Sequence, residues 1–465
     1  MAGSDIAATR QKRHDSKLPI VRRKSPPQNS GPLTRLAANC RRIFPFLSLL
    51  PPVAMFSAAF PTSDDCSCAA GETAGDSNAA DSNAADSGAA DSNAGDSGVE
   101  DSGAADSGAG DSNAGVAELA PRVSERLLID AIPDMLAAGP IAAVSCGSLG
   151  RGQLAKALAL AAPTADVAVN FLDLHQMRMA QAGVQGTRPR FHCEPDDPAA
   201  AGSLDCVALP LSASGDAELT LDRLQAAHVA LRIGGRLWAA TDNPRDRWLR
   251  GELEKLWERV KVRPVGDGVV YHAVKTKALK KLKDRVCWFA FRDGDRLLRV
   301  ASRPGVFSHR HLDTGARCLL ETMEIAAGMR VFEPGCGAGP VACAAAARAP
   351  DVHVFAIDSN PRAVQCARWS AAANGLSGVT VALNADGDCD VPGSYDLALA
   401  NPPYYSHGQI SRLFIDGSRR ALRSGGVLLS VTKDPGWYLE SLPPDFADIE
   451  VLAVRAYFVI RARRR

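Results

Sequence analysis

The sequence predicts an α/β protein of two tandem domains, each a mostly parallel sheet flanked by helices, behind a leader that builds no domain. Three observations predict it. From Val331 onward, apolar strand-like runs alternate with helical runs, and the first run opens into a glycine loop. The same order of signals stands one whole domain upstream, from Ala142 to Asp242. Residues 76–115, in contrast, are eight pentapeptides of the form Asp-Ser-(Asn/Gly)-X-X, too polar and too rich in Ala and Gly to bury a core.

The downstream copy is the more sharply written. Val331-Phe-Glu333-Pro-Gly335-Cys-Gly337-Ala-Gly339 reads as a strand running into a glycine loop. Pro340 suits the first turn of the helix that follows, to Arg348, because no partnered N–H is lost there. A second strand, Val352 to Ile357, ends at Asp358, and a helix from Pro361 to Ala373 stops at Asn374-Gly375, a C-terminal glycine signal. A third strand, Val379 to Leu383, leads to Asn384-Ala-Asp386, and a fourth, Asp396 to Ala400, delivers Asn401-Pro402-Pro403-Tyr404.

The loop spacing separates two ligand classes. A dinucleotide fingerprint, G-x-G-x-x-G, sets a pyrophosphate on a helix N-terminus. Here the pattern is E-x-G-x-G-x-G, and the Glu333 carboxylate would repel a pyrophosphate while suiting a sulfonium or an amino group. Asp358, nineteen positions after Gly339, stands at the usual distance for a carboxylate that accepts from ribose hydroxyls. Asn-Pro-Pro-Tyr suits methylation of a planar, conjugated amine, whose delocalised lone pair makes it a poor nucleophile. The Asn401 carbonyl and a proline-held backbone carbonyl can accept its two N–H groups, drawing the nitrogen toward tetrahedral geometry as positive charge develops. The bland reading of the tetrapeptide is a Pro-Pro turn that closes a strand.

These residues resemble the class I S-adenosylmethionine-dependent methyltransferases, and more closely the bacterial small-subunit rRNA guanine-N2 methyltransferase family and its large-subunit relatives. Pro304-Gly305-Val306-Phe307-Ser308, then Leu312-Asp313 and Gly315, match that family's stretch before its first catalytic strand, and Arg455 to Arg461 matches its closing strand. Tyr405 and Ser406 depart from its usual NPPF-His. The resemblance implies two Rossmann-like domains, a degenerate N-terminal copy followed by a working one. It implies S-adenosylmethionine as cofactor, held by Gly335, Gly337, Gly339, Glu333, Asp358 and Asp386, with Phe307 and Ser308 closing the site or, equally, Phe307 packed as core. Asn401, Pro402 and Pro403 would hold the target amine and Tyr404 would stack on its base. No metal is implied. His407 reads as a solvent-facing loop histidine, and Cys336 as a small residue tolerated between glycines.

The upstream copy carries Ser145 where Glu333 stands, and Leu209-Pro210-Leu211 where Asn-Pro-Pro stands. It should neither hold the cofactor nor polarise an amine, which implies another duty, such as gripping substrate or stabilising its neighbour. We divide the chain into a leader and repeat linker (1–118), a degenerate domain (119–275), a basic linker (276–284) and a catalytic domain (285–465).

Net charge is +1 over 465 residues, but residues 1–60 carry about +8 and residues 76–115 carry −9, so residues 116–465 hold a mild positive excess. That excess allows nucleic-acid binding without demanding it. Lys275, Lys277, Lys280, Lys281, Lys283, Arg285 and the terminal arginines Arg461, Arg463, Arg464 and Arg465 could meet RNA phosphates, or simply form a solvated face. Twelve cysteines without a CxxC pair fit a reducing compartment and no zinc. The leader reads as a secretory signal, an organelle transit segment or, our preference, the product of a start set too far upstream, with synthesis beginning at Met55 or later. Its apolar run is broken by Pro51-Pro52, so a membrane span is not expected. The expected product is a cytoplasmic monomer acting on ribosomal RNA or the small subunit. Alternatives are adenine N6 in nucleic acid, a protein glutamine amide, or a non-catalytic RNA-binding scaffold.

Overall fold

The computed structural model describes residues 120–182, 189–403 and 409–465. The leader with its repeats, and Tyr404, Tyr405, Ser406 and His407, lie outside the described residues. The first domain runs α1 (Val123–Asp130), α2 (Ile132–Ala137), β1 (Ala143–Cys146), α3 (Gln153–Ala161), β2 (Asp166–Asn170), α4 (Leu174–Ala182), β3 (Arg190–His192), β4 (Leu204–Leu211), α5 (Ala217–Ala230), β5 (Leu231–Thr241), α6 (Trp248–Leu256), β6 (Val260–Val265) and β7 (Gly268–Val274). Its seven strands lie in the order β3-β2-β1-β4-β5-β7-β6, with β7 antiparallel to both β5 and β6 and the rest parallel.

A hairpin, β8 (Cys287–Asp293) and β9 (Arg296–Ser302), introduces the second domain. There follow α7 (Thr314–Thr322), β10 (Arg330–Pro334), α8 (Pro340–Arg348), β11 (His353–Asp358), α9 (Pro361–Ala373), β12 (Val379–Leu383), β13 (Tyr395–Ala400), α10 (Gln409–Ala421), β14 (Leu422–Thr432), α11 (Gly436–Ser441), β15 (Phe446–Val454) and β16 (Tyr457–Arg464). The sheet order, β12-β11-β10-β13-β14-β16-β15, repeats the first domain's order strand for strand. The duplication extends to side-chain devices. Asp205 at the start of β4 accepts from Ala142 N at 2.8 Å and pairs with Arg232 at 2.7 Å. Asp396 accepts from Arg330 N at 2.9 Å and pairs with Arg423 at 2.8 Å.

Strands covered by helices on both faces must be apolar on both, which is why these segments read as continuous runs rather than alternations. Val331 and Phe332 show the consequence. Both are fully buried, yet Val331 packs with α7, α8 and α9 while Phe332 faces the opposite layer with Ile415 and Tyr438. Burying Phe332 alone is worth about 2–3 kcal/mol. Some boundaries shift from expectation: β11 runs His353–Asp358 rather than Val352 to Ile357, and the closing strand β16 begins at Tyr457 rather than Arg455, because Arg455, with φ +55°, lies in the turn between β15 and β16.

The hairpin is tied to the second domain by α9 side chains and one ion pair. Asn374 takes both polar groups of Arg299's backbone, at 3.0 and 2.7 Å, and Ser370 Oγ accepts from Ala301 N at 3.0 Å. Asp293, only 8% exposed, grips Arg348 through two bonds of 2.9 and 2.6 Å. Because Arg348 also donates to the carbonyls of Met323 and Leu320, losing the carboxylate would not leave it bare. Asp293→Ala should therefore cost about 2 kcal/mol, less than a stranded buried charge. A denaturation midpoint equal to wild type would show that the clamp does not matter.

The two domains meet through the loops at the strand carboxyl ends. Leu174 N donates to Ser359 O at 2.9 Å, and Ser359 Oγ donates to Asp173 at 3.1 Å. Arg362, at the start of α9, reaches across to Asp222 at 2.7 Å and to Pro195 O at 2.6 Å. Arg303 pairs with Asp196. Asp216, the N-cap of α5, accepts from Gly305 N at 3.0 Å, and Glu218 pairs with both His309 and Arg310 at 3.0 Å. Not all of the basic linker is available for phosphate: Lys275 is buried and donates to Leu231 O at 2.6 Å, and Lys277 pairs with Glu258.

Candidate active site

The sheet order reverses direction at β10, with β11 on one side and β13 on the other, and a crevice opens outside the carboxyl ends of these strands. The expected residues converge there. Glu333 and the glycine loop close β10, Asp358 closes β11, Asp386 follows β12, and Asn401 follows β13.

Gly335, Gly337 and Gly339 all adopt left-handed backbone angles, φ of +69°, +53° and +81°. A side chain at 335 would collide with the ring of Phe414 on α10, and one at 339 would press on Ala367 of α9. Gly337 differs, because nothing lies within 4 Å of where its Cβ would point. Its φ demands glycine and its free side faces open space, as a cradle for a ligand requires.

Asp358 fixes this loop. Its carboxylate accepts from Gly337 N at 2.8 Å and from Asn360 N at 2.9 Å, so it shapes the loop as well as lining it. Burial pushes its carboxyl up to about 6 against the pull of these N–H groups, and Asp173 of the first domain pushes the same way. Glu333 is 5% exposed and accepts from Ala342 N. Burial raises its carboxyl well above the usual range, and Oε2 is buried with no partner. A carboxylate oxygen in that state favours an arriving N–H donor, above all a cationic one. Cys336 is a buried thiol raised by the same burial, which suits a packed small residue.

Asn401 is half-buried and Pro402 is buried. Asn401 Nδ2 donates to Asp313 Oδ2 at 2.8 Å, and the same oxygen caps α7 through Ala316 N at 3.1 Å. Asp386 has an exposed carboxylate paired with Arg178 of α4 at 2.6 Å, while its N–H and carbonyl engage Asn384 and Arg420. Phe307 is 64% exposed, so it is not packed as core. Ser308 holds φ +56° and donates to His311 O at 3.0 Å.

The first domain fills the same positions differently. Ser145, at the place of Glu333, donates to Asp197 instead. The α-helix N–H that Glu333 would cap, Leu154 N, is taken at 3.1 Å by Glu125, a buried carboxylate from α1. Leu209 and Pro210 press against Gly147 and leave no easy room for a side chain there. Sequence reading missed Glu125, Arg178 and the contact of Asp313 with Asn401. Only Asp313 carried a signal, as an N-cap before Gly315 and Ala316.

The second domain has the fold of the class I methyltransferases, and residues 297–462 match the methyltransferase small domain family. The chain is 36% identical across 167 residues to the ribosomal RNA small subunit methyltransferase C of Klebsiella pneumoniae, covering 35% of this chain and 48% of the relative. It is 34% identical across 200 residues to the Pseudomonas entomophila protein of the same name, covering 42% and 59%. The chain thus spans about half the length of the curated relatives it matches. Across both domains it shares the fold of a T. thermophilus 16S rRNA N2 G1207 methyltransferase (RsmC) solved with AdoMet and guanosine. That match has a TM-score of 0.60 and 24% identity, and covers 73% of this chain and 92% of that one. Among the described residues no helix is long and apolar enough to cross a membrane, and no group of side chains is arranged to hold a metal.

Proposed function

We propose that the second domain transfers a methyl group from S-adenosylmethionine to the exocyclic N2 amine of a guanine in ribosomal RNA of the small subunit, acting in the cytoplasm. The observation that carries this reading is the Asn401 carboxamide held at the tip of β13, beside a glycine cradle that contains an unpartnered buried carboxylate. The names of the relatives favour guanine and rRNA over adenine N6 or a protein amide.

The donor supplies an electrophilic methyl group on a sulfonium. Gly335, Gly337 and Gly339 carry its amino-acid end, Glu333 receives the ammonium, Asp358 accepts from the ribose, and the Asp386 turn borders the adenine. Phe307 and Ser308 close over the site. The Asn401 carboxamide and the Pro402 carbonyl would accept the two N–H groups of the target amine, with Pro403 stiffening the turn that presents them; the stacking expected of Tyr404 falls outside the described residues. With the donor bound, the amine lone pair would form the N–C bond as the C–S electrons return to sulfur, and one proton would leave to water. Accepting groups aimed at the nitrogen gain strength as its charge grows, so they stabilise the transition state more than the bound substrate. A guanine in structured RNA must be splayed from its stack to reach them. The first domain stabilises the loops from the other side of the crevice.

The Glu333 reading predicts a pH dependence. In the ligand-free chain its raised carboxyl favours folding at low pH, and that contribution is lost as pH rises through the folded value. An ammonium needs the ionised form, and burial raises the Glu333 carboxyl, so donor affinity should rise with pH above the ordinary carboxylate range of about 4. Calorimetry should show proton release at the acid end and a weaker, flatter response in Glu333→Gln. A dissociation constant independent of pH would refute that role. The functional reading itself is tested by mass spectrometry of rRNA from cells with and without the gene. An N2-methylguanine that depends on the gene supports it, and a methylated adenine or protein amide overturns it.

A further inference from the structure

We propose that the outward face of the β8–β9 hairpin, continued by the linker before it, is a binding surface for single-stranded RNA; this deepens the rRNA reading above. The hairpin has two unlike faces. Phe291, Leu298 and Val300 point inward and are buried in the core of the second domain. Along β8 the alternate residues Trp288, Ala290 and Arg292 are exposed, and the register sets Arg299 opposite Ala290 and Leu297 opposite Arg292. The acid of β8, Asp293, is turned inward onto Arg348. The outward face thus offers a ring, two cations and aliphatic side chains, and no carboxylate.

That combination suits a polyanion with flat bases. The Arg299 guanidinium lies 5.5 Å from the centroid of the Trp288 ring, which is still 44% exposed, so two planar groups on which a base can stack stand together. Among the described residues no carboxylate pairs with Arg292 or Arg299, so both keep their charge for phosphate. The linker extends the strip. Lys275 and Lys277 are used internally, but Lys280, Lys281 and Lys283 are exposed and none has a carboxylate partner. Gln225 of the first domain takes both backbone groups of Lys283, at 2.9 and 3.0 Å, which fixes the linker without engaging the ammonium.

The face is also joined to the crevice. Arg317 of α7 donates to Arg292 O at 2.9 Å, and α7 is capped by Asp313, which contacts Asn401. At the other end Ser302, the β9 partner of Cys287, bonds His309 at 2.8 Å in the segment that carries Phe307. A guanine drawn out of its stack leaves its neighbours unstacked, and a ring and cations beside the crevice offset that cost by holding the flanking strand.

The test uses the full chain and a labelled single-stranded oligoribonucleotide of small-subunit rRNA sequence, without donor. Trp288→Ala should weaken binding about tenfold, and Trp288→Phe, which keeps an aromatic face, only about threefold. Arg292→Gln combined with Arg299→Gln should flatten the slope of log K against log salt by about 1.4, at about 0.7 per phosphate on a single strand. RNA should quench tryptophan fluorescence in the wild type and much less in Trp288→Phe. That variant and the arginine pair leave the buried face intact, so they decide the matter even if Trp288→Ala melts early. Wild-type affinity and salt slope in these variants would overturn the proposal. So would variants that bind naked RNA normally but lose assembled small subunits, because the face would then belong to a protein partner. If the wild-type chain methylates no RNA, the functional reading fails alone and the binding measurements still decide the role of the hairpin.

Discussion

Asn401→Ala is expected to lower kcat by about a thousandfold while donor affinity stays within a few-fold of wild type. The size follows from comparable cases, in which removing one preorganised group from a developing charge costs about 10²–10³ in rate, or about 3–4 kcal/mol. The split between kcat and donor affinity follows from geometry. Asn401 stands at the end of β13, whereas the cradle is built by β10, β11 and their loops, which the substitution leaves intact. The Asp313 contact adds a corollary, because truncation at 401 leaves Asp313 its helix-capping bond to Ala316 and should hardly change stability. A variant with wild-type turnover would show that no amine is polarised here. One that lost the donor and turnover together would point instead to collapse of the crevice.

What the sequence made legible was local. Strand-end glycines, Pro340 and the Asn374-Gly375 stop fix boundaries by backbone geometry within a few residues. That is why α8, α9 and β12 begin and end where the pattern places them. The duplication was legible because an echo of motifs needs only linear spacing, and the identical strand orders follow from it. The side-chain pairings that make the crevice a site were not. Asp313 and Asn401 are 88 positions apart, Arg178 and Asp386 are 208 apart, and no local periodicity encodes either contact. Glu125 shows the limit from the other direction. Ser145 correctly reads as a lost acid, yet a carboxylate from another helix caps the same helix end, since a buried N–H must be satisfied by some element.

The duty of the first domain is tested most strongly at Arg362. A cation in the first turn of a helix opposes the helix dipole, and burial to 5% side-chain exposure removes its hydration, so it persists only because partners surround it. Those partners come largely from the first domain: Asp222 at 2.7 Å, itself 17% exposed, and the Pro195 carbonyl at 2.6 Å, with Pro304 O adding 2.9 Å from the segment after β9. Arg362→Ala would leave the largely buried Asp222 without its cation, at a cost of about 3 kcal/mol and a melting midpoint lower by about 10 °C. Asp196, 63% exposed, can rehydrate and adds little. Arg362→Ala combined with Asp222→Ala should recover part of the loss, because neither charge is then left alone. The consequence should also reach the donor site. Arg362 follows directly on Asp358, Ser359 and Asn360, so loosening it frees the turn that shapes the Gly337 loop, and donor affinity should fall with stability. If Arg362→Ala melted and bound donor like wild type, the upstream copy would be a passenger and not the brace of the catalytic crevice.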